Sequence, residues 1–136
     1  MSDTFYFELV SPERKLLEEP ARAVNIPAVE GRIGVLPNHS ALVTPLKPGV
    51  VTLTSEDVNA EPQEIFIAGG FADISGDNVT ILAEDAAPVS ALDQAAIEKE
   101  MEHLELDLRD IEDPADRTRI QAKMTVARAK LDAIAA

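Results

Sequence analysis

The sequence predicts a β + α protein, in which an N-terminal antiparallel β-sandwich or flattened barrel of about ten short strands precedes a C-terminal antiparallel two-helix hairpin. Three observations predict it. Before residue 87 the apolar residues fall in short runs of period two, broken by Gly, Pro, Asn or Asp. After Pro88 they recur at alternating steps of four and three, the spacing of one helix face. The connections before residue 90 are too short to hold crossover helices, so an antiparallel sheet is expected rather than a parallel one. The domains are accordingly set at 1–87 for the β-sandwich and 88–136 for the hairpin.

Residues 4–11 alternate, with Phe5, Phe7 and Leu9 on one face and Tyr6 and Glu8 on the other, and Ser11-Pro12-Glu13 ends the run. Residues 15–18 make a short strand. Residues 22–29 make a stronger one, with Val24, Ile26 and Ala28 sharing a face. Pro27 lies inside it and cannot donate to a ladder, which predicts an edge strand or a bulge. Residues 41–46, 50–54, 64–68, 71–75 and 78–84 follow as strands, separated by Lys47-Pro48-Gly49, the segment 55–62, Gly69-Gly70 and Gly76-Asp77.

In the second part Ser90 is placed as a helix cap, with Asp93 three residues on completing a capping box. Ile97, Met101, Leu104, Leu108 and Ile111 then form one narrow apolar stripe. Asp113-Pro114-Ala115-Asp116 ends that helix and opens another, with Asp113 as cap, Pro114 in the first turn and Asp116 at the reciprocal position. The stripe repeats at Ile120, Met124, Ala127, Leu131 and Ile134, and two matching seams joined by a tight turn predict the hairpin. The first helix is mostly acidic (Glu98, Glu100, Glu102, Glu105, Asp107, Asp110), whereas the second offers Arg117, Arg119, Lys123, Arg128 and Lys130. Exposed ion pairs are worth roughly 0–1 kcal/mol each, so they select orientation more than they stabilise.

At 136 residues and 46% hydrophobic content the chain can bury one core of single-domain size. Its net charge of −13 argues against nucleic acid and anionic lipid and points to a protein partner. Without cysteine there is no disulfide or thiolate chemistry. The first residues lack a basic-then-apolar signal, and no apolar run approaches the roughly 18 residues of a membrane span, so the expectation is a soluble chain made in the cytoplasm.

The chain is organised around residues 30–49, a stretch dense in Gly, Pro and Asn that also carries His39 and exposed charge. Gly31 and Gly34 permit backbone angles closed to other residues, and Pro37-Asn38 and Pro48-Gly49 mark turns. Three roles are open to the His39 imidazole. It can donate to a nearby carbonyl and hold the turn, meet a partner, or act as a base, the last being the weakest because no acid or nucleophile is placed around it. His103 sits among glutamates as a solvated helix residue. The two Gly-containing loops, 31–34 and 68–71, lack the Lys and Ser or Thr of a phosphate cradle, and two isolated histidines make no metal-ligand set, so no cofactor and no metal are expected.

Glu30-Gly31-Arg32-Ile33-Gly34-Val35-Leu36-Pro37-Asn38-His39, then Leu46-Lys47-Pro48-Gly49, Gly69-Gly70-Phe71, and a terminal hairpin opened by Leu92-Asp93 together resemble the epsilon subunit family of bacterial F-type ATP synthase. The resemblance runs through essentially the whole chain in order. It implies a non-catalytic rotor part of a proton-translocating synthase. In that family the sandwich binds the gamma subunit and rests on the ring of c subunits, passing rotation to the catalytic head. By position, the resemblance puts Ser11, His39 and Thr44 on the gamma-facing surface and Glu30, Gly31 and Arg32 at the c-ring, with Arg32 standing where other members are acidic. Gly34, Pro37, Pro48 and Gly49 are the turn residues that hold the two in register. The family's hairpin can fold on the sandwich or extend into the alpha/beta head and block ATP hydrolysis. Ala96 replaces the arginine of ATP-sensing members, so no ATP-dependent folding is expected. The implied location is peripheral, at the cytoplasmic face of the bacterial inner membrane. The competing reading is an autonomous β-sandwich binding module whose hairpin recognises some other partner.

Overall fold

The computed structural model describes residues 3–136; residues 1 and 2, at the start of the expected β domain, lie outside the described residues. Among the described residues there are nine strands: β1 (Phe5–Val10), β2 (Lys15–Ala28), β3 (Gly31–Val35), β4 (Leu42–Leu46), β5 (Gly49–Ser55), β6 (Gln63–Ile67), β7 (Gly70–Ser75), β8 (Asn78–Ala83) and β9 (Ala86–Pro88). A short 3-10 turn (Val89–Ala91) leads to α1 (Gln94–Asp110) and α2 (Pro114–Ala135). Backbone contacts divide the chain into two compact units, Met1–Pro88 and Val89–Ala136.

In the β unit, β1, β8, β7 and β4 make one layer, and β3, β2, β5, β6 and β9 the other. The 14-residue β2 belongs to both: its first half pairs with β1 from Lys15 to Ala21, and its second half pairs with β5 and β3. The two strands expected at 15–18 and 22–29 are one, continuous through Glu19 and Pro20, which pair with Phe7 and Tyr6. The register shift between Ala21 and Ala23 is the bend that carries it from one layer to the next. Pro27 lies beyond the last β2–β5 pair, at Asn25, and its carbonyl accepts from the Lys47 N–H at 2.9 Å. Its missing N–H therefore costs no β5 rung.

Three strand expectations are corrected. The sheet is not wholly antiparallel, because β1 pairs parallel to β8, Phe7 opposite Val79 and Leu9 opposite Ile81. That pairing joins segments some 70 residues apart and leaves no local trace, whereas the rule of short connections governs only neighbours in sequence. Gly31–Val35 is a strand rather than a loop, and Ala86–Pro88 is a further short strand on β6. The core between the layers is apolar, with Phe7, Leu9, Ile26, Leu53, Ile67, Ile74 and Ile81 fully buried. Each such side chain contributes roughly 1.5–3 kcal/mol by leaving water.

In the helical unit Asp93, not Ser90, caps α1, accepting from the Ala96 N–H at 3.2 Å. Ser90 falls in the preceding 3-10 turn, so the expected capping box does not form. Asp113 caps α2 as expected, accepting from the Ala115 N–H at 2.9 Å, with Pro114 as the first helical residue. Asp116 pairs with Arg119 instead of reaching back to the cap. Ile97, Met101 and Ala127 form the centre of the seam, against which Leu92, Met124, Leu131 and Ile134 pack. Leu104 is also buried, while Leu108 and Ile120 are half-buried. Ile111 is not part of the α1 stripe: it is the C-cap, with extended backbone. The turn is closed from the other helix, since Arg117 Nη1 donates to the carbonyls of Leu108 at 2.8 Å and Ile111 at 3.0 Å.

Candidate functional site

Among the described residues no group of three or more His, Asp or Glu side chains could hold a metal ion. What the β unit presents is surface, and its chemistry follows from the register. Along β7, Ala72 and Ile74 point into the core, which leaves Phe71, Asp73 and Ser75 on the outer face. Phe71 stands between Pro45 on β4 and Leu82 on β8, and Leu82 stands beside Val10 on β1. Val10, Leu82, Phe71 and Pro45 thus make one row across four strands. Phe71 is 56% exposed, and Val43, two residues along β4 on the same face, is 69% exposed. The row thus sets large apolar side chains side by side in solvent on a chain of net charge −13.

The neighbouring row is polar up to its last member, Val43. It runs Glu18, Glu8, Thr80, Asp73, Val43 by cross-strand register. Lys15 Nζ donates to Glu18 at 2.6 Å and lies 3.3 Å from Glu8, and the Tyr6 hydroxyl donates to Glu18. Hydrogen bonding to Glu18 and then Glu8 pushes the Lys15 ammonium up to about 12. The Lys15 and Tyr6 hydrogen bonds hold the Glu18 carboxyl below its ordinary value, and the same bond to Glu18 raises the Tyr6 phenol.

The residues singled out by sequence distribute over this scaffold unevenly. Ser11 directly follows Val10, and its hydroxyl serves its own turn, donating to the Arg14 carbonyl at 3.2 Å. Thr44 precedes Pro45 on β4 and stands opposite the buried Ala72, so its side chain takes the other face of the sheet from Pro45 and Val43. His39 lies in the turn between β3 and β4, away from Ser11. There the His39 N–H donates to the Leu36 carbonyl at 3.2 Å, Pro37 and Asn38 form the corner, and Asn38 takes φ 68°. His39 Nδ1 donates to the Ser40 carbonyl at 2.7 Å, the turn-holding arrangement among the three considered for it.

Val29 and Glu30 form the tip between β2 and β3, and Gly31 opens β3 opposite Ala28. This tip docks beside the β4–β5 turn, with the Val29 N–H donating to Pro45 at 3.1 Å and the Lys47 N–H to Pro27 at 2.9 Å. Gly49 is required there because a Cβ would meet Pro27 Cβ at 2.9 Å. Pro48 sits in the same turn. Gly34, by contrast, has nothing near its would-be Cβ and is a strand residue, not a turn residue. Arg32 does not project from the tip. Its Nη2 donates to the Val50 carbonyl at 2.8 Å and its Nε to Asn25 Oδ1, laying the guanidinium across the sheet. The apolar row was missed in the sequence, although Phe71 sharing a parity with Asp73 and Ser75 was its visible sign.

Comparison with known proteins matches residues 4–89 to the family described as ATP synthase, Delta/Epsilon chain, beta-sandwich domain. A protein named ATP synthase epsilon chain from Rhodospirillum centenum is 36% identical over 138 aligned positions, spanning 99% of this chain and 94% of its own length. Another of that name from Allorhizobium ampelinum is 40% identical over 121 positions, spanning 89% of this chain and 88% of its own. In fold the chain is similar to one in the mitochondrial ATP synthase of Euglena gracilis, solved with OSCP, F1 and c-ring (TM-score 0.86, 24% identity, 98% of this chain and 83% of that one). It is also similar to a chain of the Tetrahymena thermophila mitochondrial ATP synthase central stalk and c-ring (TM-score 0.72, 16% identity, 96% of each). With a β-sandwich of matching extent, a two-helix hairpin after it in sequence and relatives that align over nearly its whole length, the chain belongs to the ATP synthase delta/epsilon chain family.

Proposed function

We propose that this chain is a rotor part of a proton-translocating F-type ATP synthase, docking on the gamma subunit by its sandwich and standing on the c-ring, so that ring rotation reaches the catalytic head. Family membership makes it an accessory subunit, not catalytic alone. The observation that carries the finer reading is the exposed row Val10, Leu82, Phe71, Pro45, to whose two ends Ser11 and Thr44 are adjacent in sequence. A shaft subunit must be held through many turnovers, and an apolar row with a polar border is the surface that gives a tight, oriented contact. His39, whose ring is fixed to the Ser40 carbonyl, contributes to the gamma contact as a shaped corner.

For the ring, the tip at Glu30 and the adjoining Gly31, braced by the Lys47-Pro48-Gly49 turn, is the foot. Arg32 is occupied on its own sheet, so Glu30 supplies the free charge of that foot. In this reading Glu30, two residues before Arg32, supplies the acidic character of the ring contact. The hairpin, a compact unit of its own, is the regulatory arm that reaches the alpha/beta head. Ala96 at its start gives a phosphate no cation to meet, and ATP is not a ligand in this reading. Among the described residues no helix is long and apolar enough to cross a membrane, which suits a peripheral position on the cytoplasmic face.

Co-purification tests the reading. The chain and a tagged gamma subunit are expected to elute as one stable complex that survives high salt, because apolar contact rather than charge dominates the surface. Clean separation of the two overturns the rotor assignment.

A further inference from the structure

We propose that β3 is an open acceptor edge on which an extended, basic segment of a partner chain adds as one more strand of the sheet. Among the described residues β3 pairs with β2 alone. The direction of its main-chain groups follows from two hydrogen bonds on the far side of β2. Because the Pro27 carbonyl accepts from Lys47 and the Val29 N–H donates to Pro45, the main-chain groups of Pro27 and Val29 face β4. Those of Ile26 and Ala28 must then face β3. In the register Pro27 stands opposite Arg32 and Asn25 opposite Gly34, so these are the non-hydrogen-bonded pairs of the ladder. Arg32 and Gly34 therefore turn their N–H and C=O outward. They offer two donor–acceptor sets about 7 Å apart, which is the spacing an incoming strand reads and a helix cannot.

Exposed edges are ordinarily blunted by a charged side chain, a proline or a bulge. This one has no proline and an unbroken register with β2. Its single charged residue, Arg32, is drawn aside onto Asn25 and Val50. Beside Gly34 the space within 4 Å of a would-be Cβ is empty. Val29 and Leu36, 54% and 63% exposed, bracket the edge with apolar surface. A second copy is not the occupant, since two chains of net charge −13 repel, and the same charge selects a basic segment.

The inference rests on the rotor reading, which supplies the assembly in which the partner is found. Residue-resolved amide hydrogen exchange is measured on the free full-length chain and on the same chain within the assembled synthase. In the free chain Arg32 and Gly34 are expected to exchange much faster than their ladder neighbours Ile33 and Val35. On assembly both are expected to slow by at least about tenfold. If the chain enters the synthase while Arg32 and Gly34 stay as fast as in the free chain, the acceptor edge is overturned and the rotor reading stands. If the chain does not enter, the rotor reading falls and takes this inference with it. Gly34→Pro, which removes the outward N–H and no ladder bond, is expected to weaken incorporation about tenfold relative to Gly34→Ala, which keeps it. Equal incorporation of two folded variants overturns strand addition, and if Gly34→Pro fails to fold the exchange measurement decides alone.

Discussion

Glu8 and Glu18 stand directly opposite each other in the β1–β2 ladder, and Lys15 bridges both carboxylates from three residues before Glu18. Like charges in that position destabilise a strand pair unless a cation sits between them. Glu18, with its carboxyl held below 4.5, stabilises fully above that value and loses its contribution as the pH falls through its lowered one. Lys15 contributes fully below 10.5 and loses its share as the pH rises through about 12. Lys15→Met is expected to lower the urea midpoint near neutral pH and to flatten both the acid and the alkaline limb of the stability profile. The difference from wild type should shrink in high salt, as the network lies at the solvent-facing surface. A midpoint difference that salt leaves untouched would assign the effect to packing of the lysine stem.

Gly70→Ala is expected to be among the most damaging single changes in the sandwich. Gly70 has φ +146°, and a Cβ there would fall 1.9 Å from the Leu82 carbonyl oxygen, which belongs to the ladder between β7 and β8. Relief requires those strands to part, at a cost of about 3 kcal/mol. Chemical denaturation checks this, with Gly34→Ala, at a site where the new methyl meets nothing, as the contrast.

Arg117→Met keeps the aliphatic stem and removes both donations to the α1 C-terminus. Two carbonyls then lose a charged donor, and the end of α1 is expected to open more easily by about 2 kcal/mol. Hydrogen exchange over residues 106–113 reads this directly, and the β unit should be unchanged.

Phe71→Asp is expected to weaken binding to gamma about thirtyfold, or ~2 kcal/mol, by placing a charge in the centre of the apolar row. Because Phe71 is already largely outside the core, the melting temperature should hold. His39→Asp is expected to act in the same direction but less strongly, since it lies off the row. Titration calorimetry against gamma separates the two, and an unchanged affinity in both variants would remove this face from the contact.

Millimolar ATP is expected to leave the hairpin unaffected. Fluorescent probes on α1 and α2 that moved with added ATP would contradict the reading of Ala96.

The parts of the fold that were legible are those with a local cause. Phe5, Phe7 and Leu9 alternate because a half-buried strand has period two, and they are buried in the structure. Asp113-Pro114 announces the second helix because a cap and a first-turn proline act within a few residues. Where causes were distant the sequence was silent. The parallel pairing of β1 with β8 depends on the path of the whole unit, and the row across Val10, Leu82, Phe71 and Pro45 exists only once four registers are set. Gly34 was misread for a different reason: glycine marks turns and also marks open edges, and only the neighbouring strand tells which, whereas Gly31 does take the positive φ, 139°, expected of it. Ala133, buried in α2, escaped notice because seams are sought through large side chains.

The strand shared by the two layers bears on stiffness. Two sheets held by side chains alone can slide over one another under a sideways load, since packing resists shear weakly and recovers after each slip. Here β2 is stitched into both, so sliding one layer past the other strains a continuous peptide chain and its ladders on either side. A body built this way responds to repeated loading as a solid block, storing little energy and losing little as heat, and it yields only by breaking strands apart.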